Sequence, residues 1–161
     1  MWATYYRRPK KERNWPLILF IIATLVFLGV RGVIKIDLEA IAQIESSNNP
    51  KAFNRRTRAR GLFQITPVCL QDYNQREGRK SGIITAKELD DPEKNRKIAD
   101  WYFHTRIPQM LDYYEMNTSD FKLVLACYNW GIGYVRKSGG RMLPKETRDY
   151  ISKYERLTAS R

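Results

Sequence analysis

Chemistry in this chain starts from one carboxylate. Glu45 closes the run Ala40-Ile41-Ala42-Gln43-Ile44-Glu45-Ser46-Ser47-Asn48-Asn49-Pro50. A carboxylate at the end of an apolar helix meets the negative end of the helix dipole and loses hydration against its neighbours. Both effects raise its pKa, which suits a general acid near neutral pH. Position alone would favour an ordinary exposed glutamate, so the residues around it must decide. Other chemistries have fewer resources. One histidine, His104, and two cysteines, Cys69 and Cys127, are too few for an all-protein zinc site, and neither C-x-x-C nor H-E-x-x-H occurs. No G-x-S-x-G stands ready for a serine triad, and His104 reads as a surface helix residue. No metal or cofactor is expected.

The elements that must position Glu45 read as helices throughout. Asp37 can cap a helix to about Ser47, with Leu38, Ile41, Ala42 and Ile44 on its apolar face. Thr66-Pro67 is an N-cap followed by a first-turn proline, opening a helix to about Glu77. Thr85 with Glu88 resembles a capping box, and Asp91-Pro92 opens a helix with Ile98, Trp101 and Tyr102 on one side. Pro108 should break or kink that helix. Thr118 or Ser119 should start another, carrying Phe121 to Cys127 and stopping near Gly131 and Gly133. A last helix follows Pro144 with Tyr150, Ile151, Tyr154 and Leu157 inward. No long β-branched alternation suggests a large sheet, though a small hairpin within 78–86 stays open. The expected class is all-α.

Ahead of this domain lies a different kind of segment. Residues 14–30 carry no charge, and about 17 residues at 1.5 Å each span roughly 25 Å. Val33, Ile34 and Ile36 extend the run if Arg31 and Lys35 snorkel. Arg7, Arg8, Lys10, Lys11 and Arg13 precede it, opposed only by Glu12. The positive-inside rule keeps that flank in the cytoplasm. A signal peptide would need a small-residue cleavage site, and none follows. The expected organisation is therefore a basic cytoplasmic segment at 1–13, a transmembrane signal anchor at 14–35 and a folded domain at 36–161 on the outer side of the inner membrane.

Three blocks, in order, carry a family resemblance. The first is Glu45-Ser46 with Asn49-Pro50, then Gly61-Leu62-Phe63-Gln64 and Pro67. The second is Ala126-Cys127-Tyr128-Asn129-Trp130-Gly131-Ile132-Gly133, and the third Leu143-Pro144-Lys145-Glu146-Thr147-Arg148-Asp149-Tyr150-Ile151. Together they resemble the soluble-lytic-transglycosylase family of lysozyme-like enzymes, with its E-S…N-P, G-L-M-Q, A-Y-N-A-G-x-G and L-P-x-E-T-x-x-Y-V elements. The chain departs in its Arg-rich stretch before Gly61, in Phe63 for methionine, in Cys127 for alanine and in Trp130 for a small residue. These changes should crowd or charge the groove wall.

The resemblance implies a goose-type-like α-helical lysozyme domain. It also implies cleavage of the β-1,4 bond between N-acetylmuramic acid and N-acetylglucosamine in peptidoglycan. Glu45 matches the catalytic acid. Ser46, Gln64, Tyr128, Asn129 and Tyr150 match residues lining the substrate groove, although a tyrosine in these blocks also reads as a core aromatic. Glu45 is expected to be the only acid at the reacting bond, and Asp72, Asp90 and Asp91 lie outside the matched blocks. A single acid suits the lytic route, in which an internal hydroxyl rather than water ends the reaction. A hydrolytic muramidase of the same fold, or a silent glycan-binding assembly factor of a secretion or virion machine, are the rival readings.

Basic residues exceed acidic ones, 29 against 17, for a net charge of +12. Such a balance predicts an anionic partner. Lys51, Arg55, Arg56, Arg58 and Arg60 crowd one short stretch. They read as a solvated loop or as a contact for anionic wall polymer, peptide carboxylates or lipid. No aromatic set is interleaved with them as single-stranded nucleic acid would require, so no nucleic-acid partner is expected. Cys69 and Cys127 could pair in an oxidising compartment or pack as free thiols.

Overall fold

Asp37 opens the first helix as its sequence predicts. Its carboxylate accepts from the backbone N–H of Glu39 at 2.9 Å and of Ala40 at 3.1 Å, satisfying two of the donors that a helix start leaves unpaired. The computed structural model describes residues 34–159, all of which belong to one compact unit, Gly32–Arg161. In order these are α1 (Leu38–Ser46), α2 (Pro67–Arg76), α3 (Gly78–Ser81), a 3₁₀ turn (Lys87–Asp90) and α4 (Pro92–Trp101). A π-helical segment (Tyr102–Arg106), α5 (Ile107–Tyr113), α6 (Phe121–Asn129), α7 (Ile132–Lys137) and α8 (Lys145–Ala159) follow. No strand occurs among the described residues. Isolated bridges join Phe53 to Arg60 and Arg60 to Ile65. The expected all-α class holds.

Helix α1 is the axis of the fold. Leu38, Ala40, Ile41 and Ala42 are buried, so nearly its whole circumference is covered. The alanines let neighbours approach closely. Helix α1 packs on α4 and α8, while α6 packs on α5, α7 and α8. Ile98, Phe103, Ile107, Leu111, Val124 and Leu125 fill the space between and are wholly buried. Each such side chain contributes about 1.5–3 kcal/mol by leaving water.

Several sequence expectations shift. The segment 78–86 holds the short helix α3 rather than a hairpin. Asn74 supplies what a partner strand would, donating to the Ile84 carbonyl at 2.7 Å and accepting from its N–H at 3.0 Å. Helix α6 is capped by Asp120, not by Thr118 or Ser119: the Asp120 carboxylate accepts from the Lys122 N–H at 2.9 Å. Gly133 lies inside α7 and stops nothing. The reversal belongs to Gly131, whose φ of +97° is open to glycine alone at little cost. Pro108 does not break the helix. The wide turn at Tyr102–Arg106, with Ile107 N–H bonding to the Tyr102 carbonyl, carries the chain past the donor that proline lacks. His104 is more than a surface residue: its Nε2 accepts from the Ile36 N–H at 3.2 Å and holds the start of the domain. Cys69 and Cys127 are both buried and free, so no disulfide joins them.

The expected anchor at 14–35 and the basic segment at 1–13 lie outside the described residues, apart from positions 34 and 35. Among the described residues, no helix is long and apolar enough to cross a membrane.

Candidate active site

The end of α1 is shaped by two consecutive left-handed residues. Ser47 at φ +54° and Asn48 at φ +61° turn the chain back directly after Glu45-Ser46. Their N–H groups return to the Gln43 and Ala42 carbonyls, and the Asn48 amide donates to Gln43 Oε1 at 2.7 Å. Left-handed backbone costs a non-glycine residue on the order of 1 kcal/mol, and this cost leaves Glu45 at an edge rather than inside a continuing helix.

Ser46 ties that edge down. Its hydroxyl lies 2.8 Å from the Leu62 carbonyl and 3.2 Å from the Ala42 carbonyl, and it accepts from the Asn49 N–H. The loop it reaches carries Gln64, which sits at φ +47°. The Gln64 amide donates to the carbonyls of Ala52 at 3.2 Å and Gly61 at 3.0 Å. A residue not singled out from the sequence supports this turn from beneath. Wholly buried Asn95 accepts from the Phe63 N–H at 2.9 Å and donates to the carbonyls of Arg60 and Leu89, each at 2.9 Å. A polar residue three positions before Ile98, on the inward side of α4, was its signal in the sequence.

Glu45 itself is partly exposed, and its carboxyl is pushed up to about 7. Burial is the larger cause. The Tyr150 hydroxyl donates to Oε1 at 2.9 Å and pulls the other way, because it favours the carboxylate. Tyr150 is buried on α8, and its hydroxyl is pushed well above its ordinary value, first by burial and then by the charge of Glu45. It is a neutral donor throughout the working range.

The other matched residues converge on the same region. The Tyr128 hydroxyl donates to the Phe63 carbonyl at 2.6 Å, and its ring stacks on Phe103 with centroids 4.2 Å apart. Asn129 accepts from Thr147 Oγ1 at 2.8 Å through Oδ1. Among the described residues the Asn129 NH₂ has no protein acceptor. Thr147, wholly buried within the third block, positions Asn129 through its hydroxyl.

Two cavities flank this group and have Asn129 in common. One, of about 470 Å³, is lined by Glu45, Asn129 and Tyr150 with Lys145, Glu146, Asp149 and Lys153. The other, of about 490 Å³, runs from Gln64 past Tyr128 to Trp130, Gly133 and Tyr134. Glu45 is therefore not the only acid on its cavity wall, contrary to the expectation. Glu146 and Asp149 share it, both exposed, with Asp149 held low mainly by its hydrogen bond from Lys145 at 2.6 Å. The acids set aside from the sequence have structural partners: Asp72 pairs with Arg76 and Arg106, Asp90 with Arg60, and Asp91 caps α4. Phe63 does not crowd the groove. It is wholly buried in the core, whereas Cys127 and Trp130 do line the second cavity. Lys51, Arg55, Arg56 and Arg58 are exposed.

Among the described residues no group of three or more His, Cys, Asp or Glu side chains is placed to hold a metal ion. Comparison with curated proteins gives no match. The family model described as the transglycosylase SLT domain matches residues 31–151, well over half of the chain, and the chain belongs to that family.

Proposed function

We propose that this chain is a membrane-anchored lytic transglycosylase of peptidoglycan, cleaving the β-1,4 bond between N-acetylmuramic acid and N-acetylglucosamine. One observation carries the reading. In a chain of this family, Glu45 is a carboxyl pushed up to about 7, held by Tyr150, on the wall of an open cavity. A group with that pKa is substantially protonated near neutral pH and can still act as a base once it has given its proton.

Glu45 gives its proton to the glycosidic oxygen as the C1–O bond breaks. The muramyl N-acetyl oxygen closes on C1 from the other face. Glu45, now a carboxylate, takes the proton of the C6 hydroxyl, whose oxygen displaces the N-acetyl oxygen and forms the 1,6-anhydro ring. The proton balance closes on one residue and no water is consumed. The internal hydroxyl outcompetes solvent through its effective molarity. The free NH₂ of Asn129 and the Oε1 of Gln64 are the groups that hold the N-acetyl arm. Ser46 and Tyr128 act through the backbone they bind, at Leu62 and Phe63.

A hydrolytic muramidase is the second reading, because Glu146 and Asp149 share the cavity of Glu45 and could activate water. Mass spectrometry of fragments released from purified sacculi in heavy-oxygen water separates the two. Anhydro-muramyl ends support the lytic route; reducing ends carrying the label replace it with hydrolysis. The anchor at 14–35 and the cytoplasmic 1–13 segment rest on the uncharged run and its basic flank. A domain tethered this closely suits local wall opening for a secretion channel or a virion. Protease added to spheroplasts should digest the domain from about residue 36 and spare the first residues; protection of the domain would invert the topology.

A further inference from the structure

Trp130, within the second block, does not stand alone. Its ring stacks on Tyr134 with centroids 5.4 Å apart and planes 17° from parallel. Tyr134 is 58% exposed, which leaves ring surface free to meet a ligand. Both rings line the cavity of about 490 Å³ that shares Asn129 with the cavity of Glu45.

The backbone beneath the pair is hydrogen-bonded and anchored. The Trp130 N–H bonds to the Ala126 carbonyl at 2.9 Å and the Tyr134 N–H to the Gly131 carbonyl at 3.1 Å. Val135 anchors α7 in the core, and the Arg136 guanidinium lies 4.5 Å from the Tyr114 ring centre on another side. A pair held this way loses little freedom when a ligand arrives. Between the two aromatics, Gly133 lines the same cavity, and a Cβ there would meet nothing within 4 Å. Neither packing nor backbone sign requires glycine at that position, and glycine inside a helix costs about 1 kcal/mol relative to alanine. Space is kept open beside the rings, where a ligand can approach the backbone.

We infer that Trp130 and Tyr134 form an aromatic platform for a pyranose ring of the glycan strand lying beyond the sugar that reacts at Glu45. This inference rests on the proposed glycan-cleaving function and adds a binding site to it. The chemistry is the apolar C–H face of a neutral N-acetylated sugar against an aromatic face. The lining there is mostly uncharged, with Lys137 as its one cation among the described residues. A neutral oligosaccharide is held without that charge, so its binding should resist salt.

The test uses the purified full chain with two substrates, peptidoglycan strands and a neutral chitooligosaccharide as binding probe. The probe should change the tryptophan fluorescence of the wild-type chain, and Trp130→Ala should abolish that change. On strands, Trp130→Ala and Tyr134→Ala should each raise KM about tenfold with kcat nearly kept, as loss of a contact made equally in ground and transition states requires. Gly133→Leu, which fills the open space, should do the same while both rings remain. If Trp130→Ala fails to fold, Tyr134→Ala and Gly133→Leu carry the decision. Wild-type activity with unchanged KM in these variants overturns the platform and leaves the cleavage reading intact. A wild-type chain that cleaves no strand but binds the probe through Trp130 overturns the cleavage reading and leaves the platform.

Discussion

The Tyr150 hydroxyl donates to Glu45 Oε1 at 2.9 Å across 105 positions of sequence, joining the last helix to the end of the first. This bond favours the charged carboxylate and opposes the burial that pushes Glu45 up to about 7. Tyr150→Phe removes the donor and keeps the ring. The Glu45 pKa should rise further, so the alkaline limb of kcat/KM should move to higher pH. Turnover should fall about tenfold, because the carboxylate needed for the second step loses its partner. A pH profile identical to wild type would mean that the bond does no work in the reaction.

The same raised pKa makes a stability prediction with a definite sign. Between about 4.5 and 7 the folded state keeps the proton of Glu45 while the unfolded chain releases it. Stability from this group therefore falls as pH rises through that window and is fully lost above it. Glu45→Gln should abolish cleavage and stabilise the domain at neutral pH, on the order of 2 kcal/mol, with the gain shrinking towards pH 4. Urea unfolding at several pH values reads it. A gain that is flat with pH would show that Glu45 titrates normally.

Much of this was legible because each block carries its own local signal. Asp37, Thr66-Pro67 and Asp91-Pro92 announce helix starts through groups that only helix starts need. Glu45, Tyr150 and Asn129 were named from their blocks, and they converge on one cavity. What escaped depends on contacts between distant segments. Nothing near His104 says that its ring will meet the N–H of Ile36, and nothing near Asn95 says which carbonyls it will meet. The hairpin left open within 78–86 does not form for the same reason, since the group satisfying Ile84 is a side chain on α2.

Gly61 and Asn95 are coupled by lack of space. A Cβ on residue 61 would lie 2.0 Å from Asn95 Nδ2 and 2.3 Å from the Leu89 carbonyl, and φ there is +80°. Gly61→Ala must therefore displace the amide that holds the Phe63 N–H. Asn95→Ala leaves that N–H and the Leu89 carbonyl buried without the amide, while the Arg60 carbonyl keeps the Ile65 N–H at 3.0 Å. Each variant should cost about 3 kcal/mol or more in urea midpoint analysis. The fraction that still folds should cleave poorly, since the Gln64 turn loses its floor. Near wild-type stability of Asn95→Ala would mean that water replaces the amide without loss.

Cys69 on α2 and Cys127 on α6 both line the second cavity, yet both are buried and free. Burial pushes the Cys127 thiol up to about 12 and the Cys69 thiol higher still, where the nearby Asp72 charge adds to the effect. The thiolate is the reactive form, so at pH 8 almost none is present on either residue. A thiol reagent should leave the native chain unlabelled and label both cysteines once denaturant opens the fold. Because no bridge constrains the unfolded chain, a reductant should leave Tm unchanged. A bridge closing this loop of about 60 residues would instead have contributed about 4 kcal/mol, so its reduction would lower Tm visibly. Absence of free thiols in the denatured, unreduced chain would show instead that Cys69 and Cys127 are bridged rather than free and buried.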